Sequence, residues 1–166
     1  MKLFVTDKDF RQAALQIDSK RRLFNMLIVS RKMIEIFENQ EPNSYNGTPN
    51  YRCWAGYVDA LKAYSNEMLK VCKEIHNYKT KYEFLEVPES YKMPPFTERT
   101  FLSHRAFLIN LDYNLYYPKF GDEAKDYNGG VLIWEYPSSK DPNFVVAEDR
   151  NGFVKEEKLK KGGIDL

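Results

Sequence analysis

The sequence has few of the residues that staple, metallate or export a protein. Its only cysteines are Cys53 and Cys72. They are too few, and too far from other ligand types, for a disulfide framework or a zinc site. No apolar run approaches the ~20 residues of a membrane span, and Met1 to Val5 is too short for the apolar core of a signal peptide. The expected setting is therefore reducing and cytoplasmic, with no membrane partner. Net charge is also missing: 25 basic residues stand against 24 acidic ones. The whole-molecule field gives no reason to expect a nucleic-acid partner, so any such partner must be recognised by local clusters. Glycine-rich phosphate loops, nucleophile elbows and paired-histidine helices are absent, and neither a metal nor a cofactor is expected.

What is present is an aromatic-rich chain of 166 residues with helical periodicity through most of its length. That length is enough for one core burying roughly two thirds of the unfolded surface. The opening Met1 to Val5 reads as an extended arm. Thr6 is placed to cap a first helix running to about Ile17, with Asp7 and Asp9 near its positive end. Asp18 reads as the cap of a second helix running to about Asn39. Its apolar positions Leu23, Met26, Leu27, Met33, Ile34 and Phe37 recur at helical spacing, and Phe24, Ile28, Val29 and Ile36 widen the stripe, so burial on most sides is expected. Thr48-Pro49 is a cap and first-turn pair for a third helix to about His76.

Lys79 to Pro95 reads as a loop. A fourth helix follows from Thr97 or Glu98, then a short turn capped by Asp112 and ended by Pro118. Val131 to Trp134 is a candidate strand, and Phe144 to Ala147 is a second short apolar patch. The expectation is a mainly helical single domain, residues 1–137, with an extended N-terminal arm. An irregular, partly mobile C-terminal extension, residues 138–166, completes it.

Three constellations carry candidate chemistry. Lys20, Arg21 and Arg22 open the second helix, where cationic side chains and unsatisfied N–H groups can act together on a phosphate; the competing reading is a solvated first turn. Ser103, His104 and Arg105 fan out over a limited arc of the fourth helix as a hydroxyl, an imidazole and a guanidinium, all suited to anions. The competing reading for His104 is a satisfied structural histidine. The aromatic set Trp54, Tyr57, Tyr64, Tyr113, Tyr116, Tyr117 and Trp134 is interleaved with Arg52, Arg99 and Arg105. It is a candidate base-stacking surface, with Trp54, Tyr57 and Trp134 singled out, although core packing explains Trp54 more cheaply.

The collinear order of several pieces resembles the pyrimidine-dimer DNA glycosylase-like, or endonuclease V-like, family of small phage and bacterial proteins. The pieces are Asp9-Phe10 after an extended start, Ile17-Asp18 leading to Arg21-Arg22-Leu23, and Tyr51-Arg52-Cys53-Trp54-Ala55-Gly56-Tyr57 followed by Ala60-Leu61 and Tyr64. Ser103-His104-Arg105, Asp112, Tyr116, Phe120-Gly121 and Trp134 before Pro137 continue the order. The resemblance covers about residues 1 to 137 and implies a helical fold, DNA as partner and hydrolase activity on damaged or modified bases in DNA repair. It implies phosphate contacts from Arg21, Arg22, Ser103 and Arg105, beside the Lys20 of the first constellation, with His104 as an orienting donor and the Met1 amine as nucleophile.

The sequence departs from the family at one point. Where the family typically reads Arg-Leu-Gly-Lys-Gln-Arg-Val-Glu, this chain runs from Arg22 to Val29, so the position of the catalytic carboxylate falls on Val29. Glu35 and Asp18 are the candidate substitutes. The alternative to an enzyme is a degenerate member of the same fold that binds nucleic acid or another protein.

Overall fold

The computed structural model describes residues 2–40, 48–124 and 132–134 in full, and the backbone of 144–148 and 154–158. It is mainly helical, as the periodicity predicts. The chain groups into two compact units, Met1–Pro94 and Pro95–Leu166. The units divide within the loop that holds Pro88, Pro94 and Pro95, where missing N–H donors disfavour regular pairing. No helix among the described residues is long and apolar enough to cross a membrane.

In the first unit the extended arm is buried from Leu3 to Thr6. Buried backbone groups require partners, and two side chains supply them here. Asn50 Oδ1 accepts the Leu3 N–H at 2.9 Å, and the Tyr64 hydroxyl donates to the Phe4 carbonyl at 2.7 Å. Because Thr6 is part of this arm, it does not cap the first helix. That helix, α1 (Phe10–Ile17), starts later, with Asp9 accepting from the N–H groups of Arg11 and Gln12 at 2.8 and 3.2 Å. Asp18, read as the cap of the second helix, instead closes the first in a left-handed conformation with φ 39°. Ser19 caps the second, α2 (Lys20–Asn39).

The expected third helix is two. α3 (Pro49–Arg52) is separated from α4 (Val58–Glu74) by a turn in which Gly56 has φ 83°, a backbone region that only glycine enters at low cost. Thr48 and Pro49 occupy the predicted first-turn positions, although the Thr48 side chain makes no cap bond. Trp54, in the turn, is fully buried against Phe10 and Tyr64, with ring centroids 6.0 and 5.3 Å away. α4 packs along both α2 and α1.

After α4, Asn77 takes φ 49° and the chain becomes irregular, as predicted. It is nevertheless fastened. The Tyr78 N–H donates to the Cys72 carbonyl at 2.9 Å, and Arg31 donates to the Glu83 carbonyl at 2.7 Å. The Asn66 amide both donates to and accepts from the Leu85 backbone, each at 2.8 Å.

In the second unit α5 (Glu98–Leu111) packs on α6 (Tyr113–Ala124). Asp112 accepts the Leu115 N–H at 3.2 Å, as a cap should. Pro118 does not end this helix but lies inside it. Its missing N–H and ring clash cost roughly 3 kcal/mol, which the burial of Tyr116, Phe120 and Ala124 offsets. β1 (Leu132–Trp134) falls on the predicted strand. Within residues 138–166, β2 (Phe144–Glu148) and β3 (Val154–Lys158) form an antiparallel sheet with it in the order β1-β2-β3, with Ile133 opposite Ala147 and Val146 opposite Glu156. β2 coincides with the apolar patch Phe144 to Ala147, whose Phe144-Val145-Val146 run favours a strand.

Candidate functional site

α2 carries the most exposed chemistry of the first unit. Lys20 and Arg21 are exposed, Arg22 is half-buried, and the first turn itself contains no acidic residue. Ser19 Oγ accepts the Arg22 N–H at 3.4 Å. A twenty-residue helix brings its positive dipole end to the same place. Arg21 begins a stripe at i, i+4, i+7 and i+11 that continues through Asn25, Ile28 and Lys32. The Lys20 ammonium lies 4.9 Å from the centroid of the Tyr78 ring. Glu35, the candidate substitute acid, is 55% exposed and paired with Lys32 at 3.0 Å.

Further along α2 is a cavity of about 190 Å³ that the sequence did not reveal. Ile28, Val29, Met33 and Ile36 form one wall, and Tyr51, Thr48, Asn50 and Lys32 complete the lining. Tyr51 is held in place by Phe37, with ring centroids 4.4 Å apart and planes 28° from parallel. Asn50 is the residue that fastens Leu3. Glu35 is not part of the lining, and Lys32 is its only charged residue among the described residues. The position where the resemblance implies a carboxylate is the aliphatic wall at Val29. The signal for the cavity was the excess width of the apolar stripe: Ile28 is 40% exposed and Val29 half-buried, so this part of the stripe faces a hollow rather than the core.

No family model matches this sequence, nor does any curated protein or solved structure. Its function therefore has to be read from its own side chains.

The second constellation, in the second unit, serves the fold. Ser103 is fully buried; its hydroxyl donates to the Thr100 carbonyl at 2.9 Å and accepts the Ile133 N–H of β1 at 3.0 Å. His104 is fully buried, edge-on to Trp134 at 4.7 Å. Arg105 reaches Glu123 at 3.0 Å and Glu98 at 3.5 Å, with its guanidinium 5.9 Å from the Phe120 centroid. A phosphate reaching Ser103 would have to displace β1, so the expected anion grip is a strand anchor instead. Trp54 and Trp134 are both 0% exposed and offer no face to a base. Tyr57 is half-exposed, with the Lys92 ammonium 5.4 Å from its ring centroid. Met1 lies outside the described residues.

Burial keeps two further groups protonated at neutral pH. It pushes the Cys72 thiol up to about 11, against a smaller opposing pull from the Lys20 charge, and raises the Tyr64 hydroxyl well above its usual value. Neither is an activated nucleophile at neutral pH. No cluster of histidine, cysteine and carboxylate side chains that could hold a metal occurs among the described residues.

Proposed function

We propose that this protein binds DNA without excising bases, as a catalytically degenerate relative of the glycosylase-like family. Lys20, Arg21 and Arg22 meet phosphate, and the cavity on α2 receives a single-ring group. The observation that carries this reading is the cavity wall: it is aliphatic at Val29, and no carboxylate lines the cavity among the described residues. Base excision requires a carboxylate to activate water or steady the sugar cation, or an amine to form a Schiff base. Lys32 is 55% exposed and paired with Glu35, unlike the desolvated lysines that amine catalysis uses.

The test is a salt titration of duplex binding for the wild type and for Arg21→Ala/Arg22→Ala. Each lost phosphate contact should lower affinity and flatten the log–log salt slope by about one. Unchanged affinity and slope in the double variant would refute the grip.

One contact favours a second reading, a lyase whose nucleophile is the Met1 amine. The Leu3 N–H is fastened to Asn50 on the cavity wall, which places the arm beside the hollow. Borohydride trapping on abasic duplex DNA should then give a covalent adduct that blocking the Met1 amine abolishes. Absence of both adduct and base release across damaged and modified substrates removes this reading.

A further inference from the structure

The irregular segment from Tyr78 to Leu85 is fastened along the α2–α4 pair as a strap. At its far end Asn66 and Arg31 hold it through backbone groups of Leu85 and Glu83. Arg31 is itself fixed by a 2.8 Å hydrogen bond from Nε to Ser65 Oγ, and its guanidinium lies 5.7 Å from the Tyr82 centroid. At its near end, the Tyr78 ring packs on Phe24 with centroids 4.3 Å apart, and the Lys20 ammonium sits over the ring at 4.9 Å. One of the three cations at the start of α2 is thus engaged by the strap.

We propose that the Tyr78–Leu85 strap is an autoinhibitory latch on the basic start of α2: it holds Lys20 on the Tyr78 ring and releases it when a polyphosphate anion binds. The proposal rests on the reading of Lys20, Arg21 and Arg22 as an anion grip, and it concerns the regulation of that site. In this latch a lysine drawn to a phosphate leaves the face of the ring, the two contacts competing for one ammonium. The strap then loses an anchor at its Tyr78 end. Reciprocity fixes the size of the two effects: the factor by which closure of the strap weakens anion binding equals the factor by which the bound anion favours opening.

The experiment uses the full chain, with inorganic tripolyphosphate as the probe and calorimetric affinity as the readout. Tyr78→Leu keeps apolar contact with Phe24 but removes the ring face, and it should bind tripolyphosphate about two- to fivefold more tightly than wild type, the factor that an exposed cation–π contact corresponds to. Tyr78→Phe keeps the ring face and should match wild type. Asn66→Ala frees the strap at its other end and should also bind more tightly, so the proposal does not depend on one variant folding. Saturating tripolyphosphate should speed hydrogen exchange at the Leu85 amide by the same factor.

Weaker or equal binding in both Tyr78→Leu and Asn66→Ala, with Arg21→Ala/Arg22→Ala still impairing binding, overturns the latch and leaves the grip standing. Slower or unchanged exchange at Leu85 with anion bound also overturns the latch. If neither the wild type nor Tyr78→Leu binds tripolyphosphate, latch and grip fall together.

Discussion

Replacing Ser103 by alanine separates a phosphate ligand from a strand anchor. The wild-type hydroxyl donates to the Thr100 carbonyl and accepts the Ile133 N–H, all three groups lying within one unit. Thr100 sits in α5, where its carbonyl retains an intrahelical donor, so losing the hydroxyl's donation costs little. The Ile133 N–H is different. Ile133 is fully buried, and the variant removes the acceptor that its N–H uses. An unsatisfied buried donor costs about 1–3 kcal/mol, and the missing oxygen leaves only a small void. Ser103→Ala should therefore destabilise the protein by about 2 kcal/mol in urea unfolding, with the largest loss of exchange protection at the Ile133 amide. Its DNA affinity and salt slope should match wild type. A variant of native stability that binds DNA more weakly would refute the strand-anchor account and return Ser103 to the phosphate-binding set.

Two further outcomes follow from the geometry. Gly56→Ala places a side chain at φ 83°, where no neighbouring atom obstructs it. The cost is therefore the backbone term alone, about 1–2 kcal/mol by thermal unfolding, and a larger loss would mean that the turn before α4 is tighter than described. Cys72, with its thiol pushed up to about 11, should be alkylated far more slowly at pH 8 than an ordinary cysteine. The folded state holds this proton more tightly than the unfolded one, so the contribution to stability is complete below the ordinary thiol range near pH 8.5 and is lost as pH rises towards about 11. Chemical unfolding across that range should show the decline in wild type and a smaller one in Cys72→Ala.

Element type was readable because it depends on periodicity and local chemistry that the chain carries in plain order. The second helix was placed to within a residue or two because its apolar spacing is dense, and only its cap was misassigned, between two adjacent residues that are both good caps. Asp18 could not be separated from Ser19 without knowing that the turn between the helices needs a left-handed residue. Pro118 and Gly56 failed in opposite directions. Proline was read as a terminator, where burial of its helix outweighs the lost bond; the glycine was read through, where it breaks a helix.

The candidate site was less legible, because a side chain's type does not say which way it faces. Ser103, His104 and Arg105 have anion-binding chemistry and are occupied with β1, Trp134 and two glutamates. Lys20 and Arg21 have the same chemistry on an exposed turn. The cavity depends on Tyr51 and Thr48 meeting α2 across a long sequence separation, and only the surplus of apolar residues at Ile28 and Val29 hinted at it.

The pairing of Asn66 with Leu85 constrains the two positions unequally. A planar amide presents a donor and an acceptor side by side, as a neighbouring strand would, and among side chains only asparagine and glutamine do so. Aspartate would set an acceptor against the Leu85 carbonyl, and leucine would offer nothing to either group. Position 66 is therefore confined to an amide of the right reach. Position 85 is read only through its main chain here, so this contact leaves its side chain open to change, while Tyr78 and Tyr82 tie the rest of the segment to α2 through their rings.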